Sequence, residues 1–440
     1  MNPDITRDTF DREKHFARVL LQQGRVMLDA DGNEQTAILL HLIRTLARDV
    51  FGAHGGPDKD HSGFLIESIP GNGKDFKIGP GRYYVDGILC ENEPAGRWEP
   101  GGGTGCTYLH QPDYQPDEAE LPAGSMVYLD VWERPVSYLE DGSMREIALG
   151  GPDSAIRSKV VWQVRFAKGD PSPEQLVAGL QPAYRGLLRA RVEPSDASTD
   201  PCILSPESRY RGAENQLYRV EVHTAGKAGE ATFKWSRDDG SVCFAIRTLG
   251  NGVAQLESLG PDNRRTLKVG DWVEVVDELL VQRGEWCPLA RVTDVQPDDV
   301  SVLLEATGDL PGPDLKRSVP LLLRRWDYQG GDPASGRPAL ADGDGALEIT
   351  EGGWWTLEDG VQIQFVPAPT NEANTYRTGD YWLIPARVAT GDVEWPVDPK
   401  QYPPPNPPQV PQPPHGVWHH YAQLAYYDGT NFNPLRSFLH

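Results

Sequence analysis

The chain has 440 residues, with 42 basic against 64 acidic side chains and a net charge of −22. That length accommodates more than one hydrophobic core, while 46 Gly and 39 Pro suit many short strands joined by turns and argue against a helical bundle. So acidic a surface repels phosphate, which makes nucleic acid and anionic membranes poor partners.

The start, MNPDITRDTF, has no basic-then-apolar leader, and no apolar run reaches the length of a membrane span. The five cysteines are scattered singly without a CxxC pair, and their odd number argues against a disulfide framework. A chain made in a reducing cytoplasm is expected, leaving it only by a route that needs no signal peptide.

Residues 10–34 read FDREKHFARVLLQQGRVMLDADGNE. No catalytic chemistry requires that order, and it reads as a connector: an arm, a tight turn, an acidic cap and an apolar helix. The helix is expected over Asn33 to Phe51, with Asp31 or Asn33 capping its first N–H groups and Glu34 favourable in its first turn. Ile38, Leu39, Leu42, Ile43, Leu46, Val50 and Phe51 recur at helical spacing, and Gly52 stops the run. Leu39, Ile43, Leu46 and Val50 also fit a 4-3-4 spacing. Two readings follow: packing on the chain's own β-domain, or a short coiled seam between subunits.

Strand patterns follow. Phe76 to Leu89 reads as two strands around a Gly-Pro-Gly turn, 98–123 as a surface loop, and Met126 to Trp132 and Val160 to Phe166 as buried strands. Residues 169–209 read as a linker with a short helix. Leu217 to His223 alternates, giving one apolar and one polar face, and residues 231–246 read as a hairpin turning at Asp238-Asp239-Gly240-Ser241. A Gly-Asp turn at Gly270-Asp271 feeds a meander of short strands, the mark of a small barrel or sandwich. Residues 403–414 are mostly proline and read as an extended, semi-rigid spacer, after which Val417 to Leu439 regains the aromatic and apolar character of a docking segment.

The expected class is mainly β: several small antiparallel sandwich or barrel modules with one N-terminal helix and a proline-rich C-terminal arm. The expected divisions are 1–57 (arm and helix, an attachment element), 58–168 (first β module), 169–209 (linker), 210–330 (second β module), 331–398 (third β segment) and 399–440 (proline-rich arm and docking segment).

Asp29-Ala30-Asp31-Gly32-Asn33-Glu34 resembles the opening of a calcium loop, but the closing carboxylate is replaced by helical apolar residues, so capping explains it better. Asp342-Gly343-Asp344-Gly345 reads as a turn between strands. His419 and His420, adjacent in a strand, face opposite ways and do not suit one metal. The glycine run Gly101-Gly102-Gly103-Thr104-Gly105 lacks the Lys-Ser/Thr and helix of a phosphate loop, and there is no GxSxG elbow. Asp130 and Glu133 stand as a glycosidase-like pair, though one of many among 64 acids. Trp354, Trp355 and Trp382 are candidates for a sugar-stacking surface or for core packing. No catalytic residue, cofactor or metal is expected.

The opening stretch resembles the N-terminal signature of a domain family of unknown function, designated 6519. The resemblance runs through Phe10, Asp11, Lys14, Phe16 and Val19, then Gln22, Gln23, Gly24, Arg25, Val26, Leu28, Asp29, Ala30, Asp31, Asn33, Glu34 and Gln35. It departs at Gly32, where a tryptophan is expected. Similar blocks lie at Tyr83-Tyr84-Val85-Asp86-Gly87, at residues 128–134, 214–220, 233–238 and 377–382, at Pro385-Ala386-Arg387 and at Pro414-His415-Gly416 with His419-His420-Tyr421.

The family's context, bacterial contractile injection systems and related phage-tail-like gene sets, implies a non-enzymatic structural component: a cap or baseplate adaptor, a spike or a fibre-attachment piece. The resemblance implies protein–protein assembly with tube, cap, baseplate or spike components, a trimer or hexamer, and a place in a cytoplasmic or released particle. The residues expected to make assembly contacts are Gln22, Gln23, Gly24, Arg25, Asp29, Asp31, Asn33, Glu34, Gln35, His419, His420 and Tyr421. The alternatives are a glycan binder using exposed aromatics and a polysaccharide-cleaving enzyme.

Overall fold

A computed structural model describes residues 5–6, 9–57, 63–69, 72–93, 105–116, 121–151, 153–180, 185–194, 209–311, 320–341, 343–368, 373–398 and 408–438. Most of the glycine run at 101–105, Asp342 and the first half of the proline tract, 401–407, lie outside them. The protein is mainly β, with several antiparallel sheets, one closed six-stranded barrel and few helices.

Two compact units divide the chain. One is built from Ile5–Arg134, Ser158–Gln181 and Trp418–His440. It contains helix α1 (Asp29–Phe51), helix α2 (Pro173–Leu180) and three small sheets. In the largest of these, Ser125–Val136 pairs antiparallel with His420–Tyr427, with Leu129 opposite Ala422. The C-terminal segment is therefore an integral strand of the chain's own first sheet system.

The Gly-Pro-Gly turn at residues 79–81 parts two sheets. Asn72–Ile78 pairs with Ile66–Ile69, whereas Gly81–Val85 pairs with Ile88–Asn92 across the Asp86-Gly87 turn. Asp86 and Gly87 both have positive φ (48° and 79°), the conformation that a two-residue hairpin requires. Phe64, Phe76, Ile78, Tyr83, Val127, Leu129, Val131 and Trp162 fill this unit's core. Part of the stretch expected as surface loop belongs to it too: Tyr108 is buried against Phe76, and the buried Gln111 side chain brackets Val164, donating to its O at 3.0 Å and accepting from its N at 2.6 Å.

The other unit contains Pro135–Arg157 and Pro182–Val417. Its barrel follows the order Cys243–Gly250, Val253–Leu256, Ser301–Ala306, Leu289–Gln296, Trp272–Val276, Leu322–Trp326. Closure leaves no unpaired strand edge, and Val273, Val275, Ala290, Val292, Val302 and Leu323 fill the interior.

The hairpin expected over 231–246 does not form. Thr232–Ser236 pairs instead with Gln216–Val222, while Cys243–Gly250 enters the barrel. The Asp238–Gly240 turn, with two consecutive aspartates at positive φ, redirects the chain rather than folding it back. The stretch expected as a linker also holds structure, because Leu187–Val192 is a strand paired along its length with Val361–Val366.

Beyond the undescribed residues the proline tract is not a free spacer. Leu188 and Gln412 exchange backbone hydrogen bonds of 3.0 and 2.9 Å, and the indole N–H groups of Trp395 and Trp382 donate to the carbonyls of Val410 and Gln412, each at 3.0 Å. Proline cannot donate to a ladder, so the tract is held largely through its carbonyls.

Candidate assembly surface

Helix α1 starts at Asp29, four residues earlier than the spacing predicts. Asp31 does not cap by the usual forward contact. Its carboxylate reaches back to accept the N–H of Leu28 at 3.1 Å. Asp29 and Asp31 at the start and Arg48 near the end complement the helix dipole, and Gly52, at φ +93°, terminates the helix.

The orientation of α1 is the reverse of what its sequence leads one to expect. An ordinary surface helix turns its apolar stripe inward and its charges to water. Here Leu39, Leu42, Ile43, Leu46 and Val50 are 50–64% exposed, and Leu40 and Phe51 beside them are exposed too. Of the helix's residues only Ala30 and Ile38 are buried. The opposite, polar side carries the docking contacts. Arg44 forms a two-pronged pair with Glu133 (2.8 and 2.9 Å), and Arg48 lies 3.4 Å from Asp86. Between them the helix backbone rests on Gly87, where a Cβ would stand 2.8 Å from both Cα and O of Arg44.

Asp86 also accepts from His420 at 2.8 Å. Its pKa is set by opposing effects. Burial alone would raise it, but the His420 hydrogen bond and the charges of His420, Arg48 and His54 hold the carboxyl below its usual range. His54 shifts downward because burial disfavours its charged form, with Asp86 opposing. One turn thus receives the N-terminal helix, through Arg48, and the C-terminal strand, through His420.

The residues expected to make assembly contacts fall into three places. Gln22, Gln23, Gly24 and Arg25 form an exposed turn, closed by a bond of 3.3 Å from Arg25 N–H to Gln22 O, with Gly24 at φ +71°. Asp29, Asp31, Asn33, Glu34 and Gln35 lie in the first turns of α1. Glu34 accepts from the Thr9 hydroxyl at 2.5 Å and Gln35 from the Val19 N–H at 2.8 Å, which ties the arm along the helix. His419 and His420 meet different carboxylates, Asp130 at 2.6 Å and Asp86 at 2.8 Å, and Tyr421 packs edge-on to Tyr128. These three groups do not converge on one point.

Of the docking residues, the sequence marks Glu133 only as half of a carboxylate pair with Asp130, and it marks Arg44, Arg48, Asp86 and Gly87 with no role of their own. Asp86, Gly87 and Glu133 lie in two of the blocks that carry the family resemblance, and that was the available signal.

The other candidate chemistries are occupied structurally. Asp130 and Glu133 are engaged by His419 and Arg44. Trp382 is 1% exposed and packs on Phe365, so it cannot join a sugar-stacking surface. A face of Trp354 is covered by the Arg191 guanidinium at 3.8 Å. Asp344 accepts from the hydroxyls of Thr224 and Thr232 at 3.0 and 2.7 Å, as a turn residue does.

In the second unit the polar face of Gln216–Val222 is buried and holds a charge network. Arg219 pairs with Glu221 (2.6 Å) and Asp239 (3.2 Å), and Lys234 with Glu274 (2.6 Å) and Glu221 (3.4 Å). Trp326 Nε1 donates to Glu274 at 2.9 Å. Burial pushes against the Glu221 charge, but Arg219, Lys234 and Arg324 overcome it and hold its pKa low. Since Glu274 is a barrel residue, the network fastens the sheet to the barrel.

Among the described residues no helix is long and apolar enough to cross a membrane. The sequence matches, over residues 1–185 and 175–433, the family described as Family of unknown function (DUF6519). No curated protein and no solved structure matches the chain.

Proposed function

The chain belongs to the DUF6519 family, and from that premise we propose that it is a non-enzymatic structural component of a phage-tail-like contractile injection particle. It works by protein–protein contact, as a cap or baseplate adaptor, a spike or a fibre-attachment piece. The family's context supplies the particle, and the attachment element is the N-terminal arm with α1. The observation that carries this reading is the reversed helix. A contiguous apolar stripe of five large side chains on one helix face, held outward by ion pairs on the other face, is a surface that association would cover. The protein would be made in the bacterial cytoplasm and reside in a cytoplasmic or released particle.

The test is incorporation. Ile43→Glu with Leu46→Glu changes only exposed positions, so the chain should fold as before while its occupancy in purified particles falls at least tenfold by quantitative mass spectrometry. Normal occupancy of the folded double variant would refute the reading.

A further inference from the structure

Beside α1 lies a groove of about 690 Å³, within the unit that carries the helix. Leu40 and Ile43 of the helix form one wall, and Leu89, Val160 and Trp162 line the rest. The two basic groups on its border are already engaged, Arg44 by Glu133 at 2.8 Å and Lys159 by Asp113 at 2.6 Å. Glu91 and Glu93 therefore set its charge, and it is an apolar trough with an acidic rim.

The same chain carries a segment of opposite character. From His15 to Leu28 there is no acidic residue, and Arg18 and Arg25 flank exposed Leu20, Leu21, Val26 and Met27, each 63–85% exposed. In one copy the arm is tied back through Thr9 to Glu34 and through Val19 to Gln35, yet those apolar side chains still face solvent. Arm and groove are thus complementary in polarity and charge, and both stand open on one molecule.

We propose that the groove formed by α1, Ile88–Asn92 and Arg157–Lys168 receives residues 18–27 of a second copy of this chain. The charge distribution favours a second copy as occupant. At net −22 the copies repel one another over most of their surface, whereas residues 10–51 contain six basic and six acidic side chains and are neutral overall. The arm meets the acidic rim with two arginines and no acid. Each copy offers one arm and one groove, so the contact is heterologous and closes into a ring or continues as a chain of subunits. The proposal does not depend on which particle the protein serves, because it concerns the isolated chain.

Mixing two variants of the full chain tests it. The arm variant carries Leu20→Asp and Leu21→Asp, and the groove variant carries Leu40→Arg and Leu89→Arg. All four positions are exposed, and thermal unfolding confirms the fold of each. By light scattering on a sizing column, the wild type should be oligomeric and each variant alone monomeric. An equal mixture should regain a two-subunit species, since the arm variant keeps an intact groove and the groove variant an intact arm. A monomeric wild type overturns the proposal, as does an arm variant that associates like the wild type. A mixture that stays monomeric also overturns it, because an intact arm and an intact groove would then have met without pairing. Loss of particle incorporation with self-association intact would bear on the proposed function alone.

Discussion

The reversed helix can be tested by comparing two substitutions eight residues apart. Leu46 is 64% exposed and Ile38 is 1% exposed. Fully burying a leucine contributes roughly 1.5–3 kcal/mol, so the third of Leu46 that is covered contributes below about 1 kcal/mol. Lysine has nearly leucine's helix propensity, and at position 46 it would stand three residues before Asp49, worth a few tenths of a kcal/mol. Leu46→Lys should therefore change the stability of α1 by less than about 1 kcal/mol. Ile38→Ala removes a buried side chain and should cost about 2–4 kcal/mol. Hydrogen exchange of peptides spanning 29–51, measured at dilution that suppresses association, reads the opening of this helix directly. Protection should be retained within about fivefold in Leu46→Lys, and reduced at least ~30-fold or abolished in Ile38→Ala. A Leu46→Lys helix that loses protection while Ile38→Ala keeps it would refute the orientation, and the conventional inward-facing stripe would take its place.

Three further outcomes follow from single contacts. Gly87→Ala places a Cβ against the Arg44 backbone at a residue of φ +79°, a strain of roughly 1–2 kcal/mol before any clash, so proteolytic cleavage within α1 should accelerate while the barrel's unfolding is unchanged. Lys234→Met leaves Glu274 and Glu221 without their shared buried cation and should cost about 3–5 kcal/mol in urea unfolding, part of it recovered by adding Glu274→Gln; a cost under ~1 kcal/mol would show that the network is not needed to hold the fold. Burial, aided by the Lys234 charge, pushes His223 down to about 3, below its unfolded value of about 6.5, so its contribution is complete above that value and is lost as pH falls between the two. His223→Gln should remove up to ~1.4 kcal/mol per pH unit from the acid dependence of stability in that window, and an unaltered dependence would contradict the assignment.

The mainly β class was legible because alternation, glycine turns and proline content are local properties of the chain. Helix α1 was legible for the same reason, from its 3.6-residue spacing. What periodicity could not convey was which side of a patterned element faces its own fold. In Leu217–His223 the alternation marks two faces, yet both are buried, because Arg219 and Glu221 pair with each other and with Asp239 and Lys234, contacts that alternation does not encode. The Asp238–Gly240 turn looked like a hairpin because turn composition records a change of direction and not the sheet that the next strand joins. The strand Leu187–Val192 was missed inside a supposed linker, since its partner at 361–366 lies about 170 residues away. For the candidate assembly surface, the Gln22 to Gln35 stretch stood out because no catalytic chemistry requires its order of residues. The acid that ties its helix down, Asp86, was visible only as part of a short block of resemblance.

The way α1 is held bears on when it becomes ordered. Its attachment to the sheets rests on the buried Ile38 and Ala30, on the close approach to Gly87 and on two ion pairs, one of them between groups about 30% exposed. Exposed ion pairs contribute about 0–1 kcal/mol each, and the two buried apolar groups add only a few kcal/mol before the cost of fixing 23 residues in a helix. The helix therefore belongs to the low-stability end of this molecule, unlike the closed barrel with its filled interior. Covering the outward stripe would add several apolar side chains to that balance at once. Assembly would then do more than use a finished surface: it would supply much of the energy that keeps the surface in shape. A strong dependence of α1 protection on protein concentration is the expected signature, and one that an inward-packed helix would not show.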